Sequence, residues 1–188
     1  MNNPREPCAN FRDVGRTANQ LARRELLREG VLFRSGKLDF VTDARAIESP
    51  RTVLNLRPQR DRLPFEAKSV HVPFPDGRQR GDRYDFDDPR VRAWLRDALA
   101  AIAAPANETP LLVHCLSGKD RTGVVIGATL VALDVPAEMV VKEYVKSAGD
   151  LQTARFKKLV EALRTRPLLR GGAMETLRAK FHPLRPSK

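Results

Sequence analysis

Residues 111–133 read LLVHCLSGKDRTGVVIGATLVAL. LLVHC is a compact apolar run of strand length. Residues 121–133 are apolar almost all round, which predicts a helix buried in the centre of the molecule. Between the two runs lie Leu116, Ser117, Gly118, Lys119 and Asp120. The chain thus sets a cysteine at the tip of a strand and an arginine at the mouth of a helix, with five residues between them.

Working outward, RTVLNLR at 51–57 predicts a second buried strand, and SVHVPF at 69–74 another, closed by the turn residues Pro75-Asp76-Gly77. NFRDVG at 10–15 and VLFRSGKL at 31–38 predict two short extended pieces. The arginine-rich connection over 16–30 carries no pattern that assigns it a structure. Thr42 can cap a short helix running through Ile47 and ended by Pro50. Asp88-Pro89 is a helix start, aspartate as N-cap and proline at the first helical position. Val91, Trp94, Leu95, Ala98, Leu99 and Ile102 then recur at helical spacing. Two amphipathic helices follow the central one, over Glu138–Ala148 and around Phe156, Leu159, Val160 and Leu163, and a weaker one covers Met174–Phe181.

Strands alternate with helices and the later part is all helical. This predicts an α/β fold: a single domain over 1–188, a central, mostly parallel sheet with helices on both faces, and a peripheral C-terminal helix and tail at 166–188. In such sheets ligands bind beyond the carboxyl ends of the strands, where a strand hands over to a helix. HCLSGKDRTG at 114–123 sits at such a handover.

Composition narrows the classes. The 188 residues are 41% hydrophobic and 30% charged, the balance of a globular chain. No apolar run approaches the ~20 residues needed to cross a bilayer. The opening MNNPREPCANFRD lacks the apolar segment of a secretory signal, so the expectation is a cytoplasmic protein, with secretion by another route left open. Cys8 and Cys115 are too few for a disulfide framework, and nothing has the spacing of a zinc site, so no metal or cofactor is expected. The net charge of +11 favours anionic partners: phosphorylated substrates, acidic lipid or nucleic acid. The basic residues are dispersed, which favours a solvated arginine-rich surface over a dedicated patch. Aromatics make up 6% and do not interleave with basic residues, so no specific nucleic-acid partner is expected.

The loop itself has a chemistry. Small residues between a strand and a helix N-terminus turn successive N–H groups toward one point, where the helix dipole adds positive potential. Arg121 adds a planar fork that can hold two phosphate oxygens at once. The same field favours the thiolate of a cysteine placed there. A thiolate under a phosphate is placed for in-line attack, which needs mainly positioning and charge neutralisation. Thr122 offers a hydroxyl to the sulfur, and His114 would orient the cysteine backbone rather than act as a base.

HCLSGKDRTG resembles the Cys-x5-Arg signature of the protein tyrosine phosphatase superfamily, in the GKDRTG form of the bacterial tyrosine, dual-specificity and lipid phosphatases. NFRDVG, LFRSGKL, VLNLR and EYVKS (143–147) match landmarks of that group in order, so the resemblance covers the chain up to about residue 150. Asn55 departs from it, since aspartate commonly stands there; altered local hydrogen bonding is expected. The resemblance implies a metal-free phosphatase working through a phospho-cysteine. It carries over Cys115 as nucleophile, Arg121 as phosphate clamp, and Leu116, Ser117, Gly118, Lys119 and Asp120 as the phosphate-binding loop. It implies a phosphorylated protein, phosphotyrosine foremost, or a phosphoinositide as substrate.

The proton donor to the leaving group has two candidates. Asp76, in VPFPDG, stands where many tyrosine phosphatases keep a mobile acid loop, although Pro-Asp-Gly is also a turn in its own right. Asp120, inside the loop, is given this role or a substrate contact in the GKDRTG group. Asp82, Asp85, Asp87 and Asp88 read instead as helix capping and solvated charge. Lys119 suits a substrate with more than one phosphate, or is a surface lysine countering Asp120. Cys8 reads as an ordinary cysteine. Rival readings are a catalytically silent phosphate-binding module, a polyanion-binding protein whose affinity would fall steeply with salt, and a sulfur-transfer or arsenate-reducing enzyme.

Overall fold

The computed structural model describes residues 8–75, 82–149 and 152–183. Five strands form one sheet: β1 (Arg12–Asp13), β2 (Leu32–Ser35), β3 (Thr52–Asn55), β4 (Lys68–His71) and β5 (Leu111–His114). Their order is β1-β2-β5-β3-β4, with β1 antiparallel to β2 and every other pairing parallel. Ser35, His114 and Asn55 are in register. The three central strands therefore end flush, and their continuations, Gly36, Cys115 and Leu56, meet at one edge.

Side-chain alternation sorts the two faces. Leu32, Leu54, Leu111 and Val113 join the larger core, while Phe33, Val53 and Leu112 join a smaller one. All six helices pack on the larger side: α1 (Val14–Ala22), α2 (Pro89–Ala103), α3 (Asp120–Ala132), α4 (Ala137–Ala148), α5 (Thr153–Thr165) and α6 (Gly172–Phe181). The other face is covered by the 3-10 turn Ala44–Ile47 and by loop residues such as Leu38, Val41, Leu63 and Phe65. The sheet is thus flanked by α-helices on one face rather than two. The helix-poor face belongs to segments with few apolar residues at helical spacing, so short loops suffice to cover three side chains.

α3 is buried along nearly its whole length, as its all-round apolarity predicts. Two glycines let its neighbours close in. A Cβ at Gly123 would lie 2.8 Å from the Tyr144 ring, and one at Gly127 2.5 Å from Phe156. Those two rings stack at 3.9 Å, locking α4 and α5 onto α3. The segment 16–30, which the sequence pattern leaves unassigned, begins with α1. Asp13 caps it by accepting from the Arg16 N–H, and Val14 and Ala18 are its buried face. The helix is only nine residues long and buries just two apolar side chains, too few to stand out as a pattern. The 3-10 turn is capped by Asp43, one residue after the expected Thr42.

Candidate active site

The loop from Cys115 to Asp120 lies at the carboxyl edge of the central strands, between β5 and α3. Its four middle carbonyls are all tied back. Leu116 O accepts from the Lys37 N–H at 2.9 Å, Ser117 O from Asn10 Nδ2 at 2.8 Å, and Gly118 O from Arg34 Nη2 at 2.5 Å. Lys119 O accepts from the Gly123 N–H at 2.7 Å, the first turn of α3. In a planar trans peptide the N–H points opposite to its C=O. Anchoring these carbonyls outward therefore turns the N–H groups of residues 117–120 the other way, into a common concavity at the start of α3. The helix dipole adds its positive end there.

Gly118 makes the tight turn possible. Its φ is +69°, and a Cβ would come within 2.6 Å of Gly36 N and Ser35 C. Both are backbone atoms that cannot swing aside. Gly118→Ala is expected to cost about 1–3 kcal/mol from the left-handed backbone alone and to weaken phosphate binding. Thermal denaturation and phosphate titration check both effects, and an unchanged melting temperature would contradict the strain.

Arg34 is the residue that sequence reading passed over. It is fully buried, with Nη1 2.7 Å from Glu143 Oε2 and Nη2 on Gly118 O. Glu143 is shared with Arg12, whose Nη2 lies 2.7 Å from Oε1. Burial lowers the Arg34 guanidinium to about 10, against the pull of Glu143, and the neighbouring Arg12 lowers it further. The Cys115 sulfur acts on it in the same sense as Glu143. Arg34 is thus a charged group at neutral pH. An arginine at an inward position of a four-residue strand, LFRS, was the available signal.

Cys115 is buried, 3% exposed. His114 Nε2 lies 2.7 Å from Asp61 Oδ2, and its Nδ1 has no hydrogen-bond partner among the described residues. His114 O accepts from the Leu56 N–H. The histidine is therefore fixed from the side and along the backbone. Asp61, in the arginine-rich RPQRDRLP, gave no signal in the sequence. Arg121 is half-buried and donates from Nη1 to Leu56 O at 3.2 Å, which steadies its guanidinium across the end of β3. Thr122 Oγ1 is directed at Ser35 O at 3.5 Å. Asn55, where aspartate commonly stands, is fully buried and accepts from the Arg57 N–H while donating to Gln59 O. It holds the turn after β3 with both ends of its amide, which a carboxylate could not do.

Asp120 is the first residue of α3, and its Oδ1 accepts from Tyr84 Oη at 2.6 Å. Tyr84 Oη is in turn 2.7 Å from Tyr144 Oη. Arg83 stands 3.8 Å from the other carboxylate oxygen. Burial, then the Asp120 hydrogen bond, pushes ionisation of Tyr84 far above the usual phenol range, and burial raises Tyr144 as well. Asp120 is countered by Arg83, not by Lys119, which is exposed and has no ion pair among the described residues. Asp76 lies outside the described residues. Asp88 caps α2 as expected, while Asp82 pairs with Arg155 and Asp87 with Arg166 rather than standing only as solvated charge. Among the described residues no group of three or more His, Cys, Asp or Glu could hold a metal ion.

Residues 4–183 match the tyrosine phosphatase family. The triple specificity protein phosphatase PtpB of Mycobacterium tuberculosis (strain ATCC 25618 / H37Rv) is 29% identical over 199 residues, covering 79% of this chain and 70% of the relative. The fold is similar to the core catalytic domain of the PP-IP phosphatase SIW14 from S. cerevisiae, solved with citrate. The TM-score is 0.58 and the identity 21%, over 82% of this chain and 85% of that one. A second structure of the Siw14 catalytic core gives a TM-score of 0.58 at 20% identity, over 83% and 91%. The chain is a phosphatase and belongs to the tyrosine phosphatase family.

Proposed function

We propose that the chain hydrolyses phosphate monoesters, phosphotyrosine in proteins foremost, with Cys115 as nucleophile and Arg121 as clamp. The observation that carries this is the set of outward-anchored carbonyls, which leaves N–H groups to receive the phosphate oxygens. In the first step the Cys115 sulfur attacks phosphorus in line. An S–P bond forms, the P–O bond to the leaving group breaks, and a carboxylic acid donates the proton that the leaving oxygen needs. In the second step water attacks the phospho-cysteine, the S–P bond breaks, and the carboxylate takes the water's proton. Inorganic phosphate and the thiolate result. Arg34 supports the loop from below through Gly118 O. Similarity to a triple specificity protein phosphatase supports a site that admits more than one class of phosphate ester.

Acid quench during turnover of a phosphotyrosine peptide in EDTA tests the reading. Mass spectrometry should find one phosphate on the Cys115 peptide. Phosphate carried by another residue, or a strict requirement for metal, would overturn the mechanism. Parallel assays with a phosphoserine peptide and soluble phosphoinositides test the substrate order, and faster turnover of either would overturn it.

A further inference from the structure

Among the described residues only two large apolar side chains are strongly exposed, Phe40 at 81% and Leu116 at 57%. Single exposed apolar residues are ordinary. These two share one rim. Leu116 follows Cys115 directly, and its carbonyl is held by the Lys37 N–H at 2.9 Å. Three residues on from Lys37 comes Phe40, and Lys37 Nζ sits 4.9 Å from the Phe40 ring centroid. One lysine thus ties the two apolar side chains to the mouth of the loop.

The neighbours of Phe40 add charge. Leu38, Asp39, Val41 and Thr42 line a cavity of about 450 Å³ together with Arg57, Arg60, Asp61 and Arg62. Arg57 is committed to Asp39 at 2.8 Å. Arg60 and Arg62 are exposed and have no ion-pair partner among the described residues. The chain carries a net charge of +11.

The rim therefore mixes exposed apolar tips with cations: Arg60 and Arg62 have no ion pair among the described residues, while Lys37 shares Asp39 with Arg57. This mixture suits a bilayer surface, where an aromatic ring enters the boundary between headgroups and acyl chains while cations meet lipid phosphates. Among the described residues no helix is long and apolar enough to cross a membrane. We propose that the rim of Phe40, Leu116, Lys37, Arg60 and Arg62 docks on an anionic lipid bilayer and turns the Cys115 loop toward its surface.

Sedimentation with vesicles tests this directly. The protein should partition onto phosphatidylcholine vesicles containing phosphatidylserine, far less onto pure phosphatidylcholine, and more weakly as salt rises. The double variant Arg60→Glu/Arg62→Glu should lower partitioning by roughly 10-fold or more through the loss of two cations beside an anionic surface, and Phe40→Asp, which removes the inserting ring and adds a negative charge, by roughly 10-fold as well. Both variants alter exposed side chains, so their turnover of p-nitrophenyl phosphate in solution should be unchanged, which also reports an intact fold. Cys115→Ser should bind vesicles like the wild type, which separates docking from catalysis. Equal binding to both vesicle types, no binding to either, or full binding by Phe40→Asp would overturn the proposal.

Discussion

Cys115→Ser is expected to drop phosphate release from every substrate by at least about 10⁴-fold, the scale seen when a nucleophile is removed from a concerted site, while leaving phosphate bound. A hydroxyl differs from a thiol little in size, so the loop should keep its shape. It differs greatly in how readily it gives up its proton, and the field of α3, Arg121 and Arg34 is too weak to make an alkoxide at neutral pH. Binding survives because the loop is held by Lys37, Asn10, Arg34 and Gly123 through carbonyls, and not through the sulfur. Arg121→Ala should lose both, since it removes the only fork in the loop that can span two phosphate oxygens. Kinetics of phosphate release, read beside phosphate titration of each variant, check the pair. Turnover by the serine variant would end the mechanism. Loss of phosphate binding in that variant would mean that the sulfur organises the loop, contrary to the hydrogen bonds.

The parts of this molecule that were legible in the sequence are those whose signal is local. LLVHC announces a strand by its apolar density, α3 a central helix by its unbroken apolarity, and Asp88-Pro89 the start of α2 by capping chemistry. The Cys-to-Arg spacing places the loop at a strand-to-helix handover because both flanking elements can be read. What escaped depends on partners far along the chain. Arg34 and Glu143 are 109 residues apart, and each alone reads as a surface charge. Asp61 acquires meaning only beside His114, 53 residues away. The one-sided placement of the helices was also hidden, because periodicity says which face of a helix is apolar but not which face of the sheet receives it. α1 escapes for a different reason: it is nine residues long, starts at the Asp13 cap and buries only two apolar side chains, Val14 and Ala18.

Asp120→Asn is expected to slow a phosphotyrosine peptide by about 10²- to 10³-fold, within the usual range for a general acid, and p-nitrophenyl phosphate much less. The difference lies in the leaving group. Tyrosine leaves as a phenolate whose conjugate acid has a pKa of about 10, so its departure needs a proton, whereas the nitro group of nitrophenolate already disperses the charge. An amide keeps the shape of the carboxylate and can still accept from Tyr84, so folding should be preserved. Tyr84→Phe is the companion variant. Burial keeps Tyr84 protonated, so it remains a donor to Asp120 over the working pH range, with Tyr144 behind it. Removing that hydroxyl frees the carboxyl to rotate, and the expected result is a loss of about 10-fold or less with the same bias toward the poorer leaving group. Rates for the two substrates across wild type, Asp120→Asn and Tyr84→Phe decide the matter. If Asp120→Asn slows both substrates equally, its role is to shape the loop, and the acid must come from elsewhere. Asp76 then becomes the donor, and Asp76→Asn should show the leaving-group bias that Asp120→Asn lacks. If Asp120→Asn shows the bias and Asp76→Asn does not, the proton comes from within the loop, and the Tyr84–Tyr144 pair is what holds its donor in place.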